Sequence, residues 1–516
     1  MSQRVNHPVT GILEAPPAMS IEHRGVDTVP DSDRHYSPRH IFAILYGGDL
    51  TYSIIIFGSF PILFGLSWWS SVSALIAGTA LGAAVLAPMA LFGPKTGTNN
   101  AVSSGAHFGV AGRFIGTGLA LFSALGFTAI TIWTSGDALV AGVARVVGAE
   151  VTDLGRAVGY AVIAAVVLAI CMRGIHLMLR LQERLMMPLM TVVLVVGLFA
   201  FAPSFDAGYA GGELAFGSLT ATWIGSALLV ASVVISYGPF VGDWTRYIHP
   251  DEHKPAAVVG ATFLGAFLGM GFPFLWGAFA ASTFAGESGD FIPALIANSP
   301  GWYVYALVFI GLFAGVAQGT IGLYGTGLDT SSLIPQLSRR QSTLLIAAVA
   351  VVLVYGGAFV WEIIPVINAF LVVLLVVTAP WIIIMTIGYF YRRAHYLPDD
   401  LQVFTRGERG GRYWFHHGWN WRAVISWALA STLGLLFAVA EPIFTGPAAG
   451  AAAGVDLSFV TASVAAGVLY LAALRIWPEP PSVMPPAVGS ASSSAPPTEG
   501  AGSDVAAAGT PAVAAE

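Results

Sequence analysis

Tyr46-Gly47-Gly48-Asp49-Leu50-Thr51-Tyr52-Ser53 is the stretch from which the fold of this chain is predicted. It lies inside the first long apolar segment, which runs from about residue 41 to residue 66 and is long enough to cross a bilayer. Two adjacent glycines weaken a helix, and a carboxylate inside a membrane span is unfavourable unless it faces a cavity or a partner. We therefore expect the first span to be a broken helix with Asp49 at the break.

A second interruption of the same kind occurs in the sixth apolar segment, at Ser236-Tyr237-Gly238-Pro239-Phe240-Val241-Gly242-Asp243. Two broken apolar segments at corresponding places in two halves of a chain are the best sequence indication of a secondary transporter's binding site. Because the breaks fall in segments one and six, the pattern predicts a repeat of five helices. The second copy would be inverted, since five crossings reverse the direction of the chain.

The composition is that of an integral membrane protein. Of the 516 residues, 56% are hydrophobic and only 10% are charged, more apolar surface than a soluble domain could bury. The single Cys171 excludes an internal disulfide and a cysteine-cluster metal site. The sequence contains neither a phosphate-binding loop nor a nucleophile–base pairing, so we expect neither ATP-driven transport nor an enzyme. We also expect no cofactor, no metal and no nucleic-acid partner.

Twelve apolar segments are predicted to be transmembrane helices. If the N-terminus is cytoplasmic and each segment crosses once, all but two of the 22 Lys and Arg residues lie on the cytoplasmic side, the exceptions being Arg145 and Arg156. We therefore expect a multi-pass protein of the plasma (cytoplasmic) membrane with both termini in the cytoplasm. The predicted regions are a cytoplasmic tail (1–37), a transport core of helices 1–10 (38–393), a cytoplasmic loop with helices 11–12 (394–477) and a disordered Pro/Ser/Ala/Gly-rich tail (478–516).

Three motifs follow one another between about Pro38 and Arg393. They are Leu91-Phe92-Gly93-Pro94-Lys95-Thr96-Gly97 with the loop up to Arg113, Gly242-Asp243-Trp244-Thr245-Arg246-Tyr247, and Pro380-Trp381 through Tyr389-Phe390-Tyr391-Arg392-Arg393. Their ordered set resembles the nucleobase:cation symporter-1 family, which includes purine, cytosine, allantoin and hydantoin permeases. The resemblance implies an all-α fold of twelve transmembrane helices. Ten would form the five-plus-five inverted repeat of sodium-coupled amino-acid transporters, with the substrate between helices 1, 6, 3 and 8.

A nucleobase is flat, so a pocket for it needs rings for its faces and polar groups for its edge. By the resemblance, Tyr237 stands where the purine and cytosine branch has a tryptophan, next to Gly238 at the helix 6 break. Gln318 and Gly319 fall on an Asn-Asn pair of helix 8, and an amide supplies both a donor and an acceptor. Alternatively, Tyr237 caps broken backbone or packs in an aromatic core, and Gln318 bonds to a neighbouring broken helix.

Helix 3 offers two pairs of candidate residues, each with an aromatic and a polar residue four positions apart. The pairs are Phe127 with Thr131 and Trp133 with Asp137, and they point about 120° apart, so at most one pair can face the substrate squarely. We favour Phe127 and Thr131 because Gly126 before them also matches the family. Phe127 could instead pack against lipid or the core, and Asp137, a carboxylate in an apolar helix, is a site candidate in its own right.

Asp49 is the main candidate for coupling, because a buried carboxylate beside the cavity can bind and release a proton in each cycle. It could instead contact the ligand or a cation, or accept hydrogen bonds from unwound backbone. The resemblance implies that sodium coupling would need hydroxyls five or six residues before the helix 8 amide. Those positions, Leu312 to Ala314, offer no oxygen side chain, which favours a proton carried by Asp49 or Asp137.

The sequence therefore predicts a secondary active transporter that imports a nucleobase, cytosine or a purine, by proton symport through alternating access. One alternative keeps the fold and carries allantoin, hydantoin, a nucleoside or a thiamine-precursor pyrimidine, with sodium as a possible driving ion. A channel is the more remote alternative. The expected partners are a small heterocycle and the lipid bilayer.

Overall fold

The computed structural model describes residues 27–173, 187–284, 291–316, 318–320, 322–323, 326, 338–361, 363–440, 443–452 and 454–486. Within these ranges, nine helices are long and apolar enough to cross a membrane, and one further pair of helices forms a bent span. Two shorter apolar helices, Leu219–Ile235 and Trp421–Leu436, add to them. The protein is thus an all-α membrane protein, and the count of twelve spans stays a prediction.

The first span is broken where the sequence predicts. Helix α1 (Pro38–Gly48) and helix α2 (Tyr52–Leu63) meet at an angle of 66°. Asp49 follows the last residue of α1, and the extended backbone of Thr51 precedes the first residue of α2. The Gly-Gly-Asp sequence therefore ends one helix, and the chain starts a second helix after three residues.

Seven α-helices, four long and three short, are described between the two broken spans. The first is α3 (Trp68–Leu86), and it is followed by the short helices α4 (Phe92–Thr96), α5 (Asn100–Ser103) and α6 (Gly105–Phe108). The three other long helices are α7 (Arg113–Val147), α8 (Asp153–Arg173) and α9 (Met187–Phe201).

The sixth predicted span is also broken. Helix α10 (Leu219–Ile235) ends before the turn that holds Tyr237 and Gly238, and α11 (Val241–Thr245) follows that turn. The Asn100 side chain donates to Gly238 O at 2.8 Å, so α5 binds a carbonyl that the break leaves without a helical partner. A Cβ on Gly242 would lie 2.4 Å from Asn100 N, which requires glycine at this contact.

The remaining elements follow in chain order. They are α12 (Pro255–Thr283), α13 (Phe291–Asn298), α14 (Gly301–Phe309, continued by a π-helical stretch Ile310–Ala314 in a span reaching Thr320), α15 (Arg339–Phe359), α16 (Ile363–Tyr391), α17 (Pro398–Leu401), α18 (Trp421–Leu436), the antiparallel strands β1 (Val439–Ala440) and β2 (Phe444–Thr445), and α19 (Ser458–Ile476).

The long helices form two groups around the breaks. Helices α1 and α2 pack on α12, and α3 packs on α10, whereas α7 packs on α8, α15 and the π-helical stretch after α14. Glycines allow the closest approaches in the first group: a Cβ on Gly58 would lie 1.9 Å from Phe274 O, and one on Gly277 would lie 2.0 Å from Ile55 O. Small residues at helix contacts are the usual means of close packing in membranes.

Parts of both predicted tails are packed on the protein, and the predicted boundaries at 37 and 478 therefore cut through bound segments. Near the N-terminus, Tyr36 N donates to Tyr247 O at 2.8 Å, and Arg34 donates to Val29 O at 2.9 Å. Near the C-terminus, Glu479 forms a buried ion pair with Arg392. The rest of the two tails, 1–26 and 487–516, lies outside the described residues.

Candidate substrate and coupling site

A hydrogen bond joins the two broken spans. Tyr237 Oη donates to Asp49 Oδ1 at 2.6 Å. The Asp49 side chain is fully buried, and its Oδ2 atom has no hydrogen-bond partner among the residues that the structure describes. Buried carboxylate oxygens are normally paired, so this oxygen is a place where a proton or a ligand N–H could bind.

A second set of contacts joins the first break to the helix that carries Gln318. Thr51 Oγ1 donates to Gln318 Oε1 at 2.7 Å, and Ser53 Oγ donates to the same oxygen. The two hydroxyl oxygens lie 2.7 Å apart. The Gln318 side chain is half-buried. Gln318 therefore bonds to the first broken helix, as the alternative interpretation of this residue anticipates.

Thr131 faces the same span as Gln318. Its Cγ2 atom would lie 3.4 Å from a Cβ built on Gly319, and Ser135 Oγ would lie 1.9 Å from a Cβ on Gly315. Thr131 and Ser135 are four residues apart on one face of α7, and both are buried. Glycines on the partner helix thus bring this face of α7 into close contact with it.

Phe127 lies in an aromatic cluster on the same side of α7. Its ring meets Phe57 edge-on at a centroid distance of 6.1 Å and Phe370 at 6.0 Å. These partners belong to α2 and α16, so the ring is placed between three helices. The contacts fit the core-packing alternative for Phe127, and contact with a substrate stays a prediction.

Asp137 points to a different neighbour. Tyr160 Oη of α8 donates to Asp137 Oδ1 at 2.7 Å, and the Tyr160 ring packs edge-on against Tyr355 at a centroid distance of 6.0 Å. Trp133, four residues earlier on the same face of α7, is buried as well. The structure therefore separates the predicted site residues into two sets. One set gathers Asp49, Tyr237, Gln318, Gly319 and Thr131, and the other holds Trp133 and Asp137.

Gly238, the remaining predicted site residue, packs against α16. A Cβ on Gly238 would lie 2.6 Å from Ile382 Cδ1, so a side chain at this position would displace the end of Ile382. Thr51 and Ser53 are not among the predicted site residues, although they follow Gly-Gly-Asp closely in the sequence and hydroxyls at a helix break could have indicated them. Asn100 gave no such signal, because its role depends on the distant Gly238 carbonyl.

The helix positions considered for sodium carry no oxygen side chain, and one of them points away from the protein interior. Phe313 is 52% exposed and packs on Phe309 at a centroid distance of 4.5 Å. Ala314 is buried, and both residues belong to the π-helical stretch. Side-chain oxygens for a cation are thus missing at these described positions.

A separate cavity lies between α10, α16 and the connection from α18 to α19. Its lining includes Phe216, Asn368, Leu371 and Asp456, and none of the predicted site residues. The Asp456 carboxylate accepts hydrogen bonds from the backbone N–H groups of Ser458 at 2.7 Å and Val439 at 3.1 Å. Because both oxygens hold backbone groups, Asp456 has a structural explanation that needs no ligand.

The family model described as "Permease for cytosine/purines, uracil, thiamine, allantoin" matches residues 28–461. The chain belongs to this family of permeases. It is thus a membrane transporter and not an enzyme, and the predicted membership is confirmed. A putative purine-cytosine permease, YxlA of Bacillus subtilis (strain 168), is 23% identical over 479 residues, which cover 89% of this chain and 96% of that protein. The vitamin B6 transporter TPN1 of Saccharomyces cerevisiae is 22% identical over 273 residues, which cover 51% of this chain and 45% of that protein.

Solved structures support the fold. The inward-facing conformation of Mhp1 matches with a TM-score of 0.70 at 18% identity, covering 89% of this chain and 94% of that one. A closed conformation of Mhp1, described as a nucleobase-cation-symport-1 family transporter with bromovinylhydantoin bound, matches with a TM-score of 0.66 at 18% identity, covering 88% and 95%. A Na⁺-coupled sialic acid symporter matches at 0.52 and 14% identity, covering 87% and 91%. The predicted inverted-repeat transporter fold is confirmed by these likenesses.

Proposed function

We propose that this permease imports a nucleobase, cytosine or a purine, together with a proton by alternating access. The protein would lie in the plasma membrane with both termini in the cytoplasm, as the distribution of Lys and Arg predicts. The observation that carries the proposal is the contact between the two broken spans, in which Tyr237 donates to a fully buried Asp49.

The chemistry around this contact suits a flat heterocycle. Tyr237 supplies a ring for the face of a base, and Gln318 and Asp49 supply polar atoms for its edge. The family description names cytosine, purines, uracil, thiamine and allantoin, all of which carry such polar groups. Allantoin or a hydantoin is the second candidate cargo, because the Mhp1 structure that shares this fold has bromovinylhydantoin bound.

Coupling to a proton follows from the cost of a buried charge. An ionised carboxylate without a cationic partner is unfavourable in a low-dielectric interior. In the described part of the chain Asp49 has one hydrogen bond, from Tyr237, and no ion pair. A proton on Oδ2 would remove the charge of Asp49. This side chain would then be neutral while the site that holds substrate and proton changes from one side of the membrane to the other. Asp137, held by Tyr160, is the second candidate carrier.

Alternating access would move the group of α1–α3 and α10–α12 against the group of α7, α8, α14 and α15. The hydrogen bonds from Thr51 and Ser53 to Gln318 cross between these groups. We infer that these bonds form when the two groups close on the ligand and break when the groups move apart.

The test is uptake into proteoliposomes. Labelled cytosine, adenine, hypoxanthine, uracil and allantoin would be offered with either a proton or a sodium gradient imposed. We expect inward protons to drive uptake of one base, and Asp49→Asn to abolish that uptake while keeping substrate-dependent quenching of tryptophan fluorescence. Asp137→Asn is the matched comparison and should keep proton-driven uptake. Uptake that follows sodium alone, or that survives unchanged in Asp49→Asn, would overturn the proposed coupling.

A further inference from the structure

The hydrogen-bond network at the first break also bears on ligand selection. We propose that Thr51 and Ser53 are positioning residues that fix the direction of the Gln318 side-chain amide, an inference that rests on the proposed function. Held in this way, the amide offers only its N–H₂ group to the ligand. The permease would then select heterocycles that place a hydrogen-bond acceptor, a carbonyl oxygen or an unprotonated ring nitrogen, against Gln318.

The argument for this orientation is a count of the hydrogens on the two hydroxyls. Thr51 and Ser53 are buried, and each has one hydroxyl hydrogen to donate. In the described structure, the hydrogen bonds of these hydroxyls join them only to each other and to Gln318. If the amide nitrogen took the place of the oxygen, one hydroxyl could donate to the other, and the hydrogen of that other hydroxyl would stay unpaired. With the oxygen in this place, its two lone pairs accept both hydrogens.

The consequence for the ligand is a fixed donor. An amide that can rotate supplies either a donor or an acceptor, whereas a locked one accepts only ligands that complement it. A site built to donate a hydrogen bond rejects an analogue that lacks the acceptor, because a buried N–H is then left unpaired. Thr51 and Ser53 would therefore act on specificity without touching the ligand.

The test compares cytosine and hypoxanthine with their deaza analogues, each of which replaces one ring-nitrogen acceptor by C–H. Binding to the full-length protein would be measured by tryptophan fluorescence and by competition with labelled base. In the wild-type protein, we expect removal of the acceptor that faces Gln318 to weaken binding at least about fivefold. In Thr51→Val combined with Ser53→Ala, that ratio should fall below about twofold, because the amide can then rotate.

Three further variants separate positioning from general damage. Ser53→Ala alone should give an intermediate ratio, and Thr51→Ser, which keeps the hydroxyl, should keep the wild-type ratio. Ser59→Ala removes another buried hydroxyl of α2, one that donates to Ile56 O, and should leave the ratio unchanged. Melting temperatures would confirm that each variant folds.

The outcomes distinguish this inference from the proposed function. If the wild-type protein binds a base and discriminates against its deaza analogue, but the double variant and Ser53→Ala discriminate equally well, the positioning role is refuted and the proposed function stands. If the wild-type protein binds no base, the proposed function fails and the inference fails with it.

Discussion

The buried ion pair between Arg392 and Glu479 allows a quantitative prediction. The Arg392 Nε atom lies 2.6 Å from Glu479 Oε2, its Nη2 atom lies 2.6 Å from Oε1, and both side chains are fully buried. Burial by itself would lower the pKa of Arg392, but the Glu479 carboxylate and its hydrogen bonds hold that pKa above its ordinary value. Glu479→Gln therefore leaves a charged guanidinium buried without its counter-ion.

The expected loss in the free energy of unfolding follows from the burial of the ion pair. Removing one partner of a buried ion pair costs about 3–5 kcal/mol, because the remaining charge is not compensated. Asn420 also donates to Glu479 Oε1 at 3.4 Å, so the substitution weakens a contact to the segment before α18 as well. With an unfolding entropy of roughly 2 cal/mol/K per residue, a chain of this length should melt about 3–5 °C lower.

The assay is thermal unfolding in detergent, with the exposed pair of Arg406 and Asp399 as the control. These two side chains are 51% and 97% exposed and lie 3.5 Å apart. Asp399→Asn should change the free energy of unfolding by less than about 1 kcal/mol and the melting temperature by less than about 1 °C. A truncation after Trp477, which removes Glu479, should lose at least as much stability as Glu479→Gln.

The reasoning would be refuted by a Glu479→Gln protein that melts within 1 °C of the wild type. That result would mean that the charge of Glu479 adds no net stability and that segment 478–486 does not depend on it. Equal effects of Glu479→Gln and Asp399→Asn would contradict the role assigned to burial.

Two further predictions concern pH and helix packing. Burial, and next the charge of Arg392, lower the pKa of His107 well below its ordinary value of 6.5. The side chain is therefore neutral in the folded protein. In the unfolded chain it takes up a proton when the pH falls below 6.5. Stability should therefore fall as the pH drops below 6.5, by up to about 1.4 kcal/mol per pH unit, and melting curves from pH 5 to 8 should show a smaller fall in His107→Gln. Gly58→Ala should lower the free energy of unfolding by about 1–3 kcal/mol, because its Cβ would lie 1.9 Å from Phe274 O. Gly118→Ala should not destabilise the protein, because its Cβ would have no atom within 4 Å. Equal melting temperatures for the two variants would contradict the close packing at Gly58.

The broken spans could be predicted because their causes are local in the sequence. Gly47, Gly48 and Asp49 weaken a helix wherever they occur, and the structure bends the first span by 66° at that point. The turn at Tyr237 and Gly238 was predictable for the same reason. The packed segment around Glu479 was not, because its composition is that of a tail and its order depends on a partner 87 residues away in the chain.

By itself, the sequence determined that the chain lies in a membrane, that two of its spans are broken, and that Asp49 and Tyr237 stand at the breaks. These conclusions depend on apolar length, on helix-weakening residues and on a buried carboxylate, all of which act locally. Only the tertiary structure decided that Thr131 lies beside the span of Gln318 and that Asp137 accepts a hydrogen bond from Tyr160 of α8. Helical periodicity gives the angle between two pairs of residues on α7, but the rotation of α7 about its own axis depends on the glycine contacts with its neighbour.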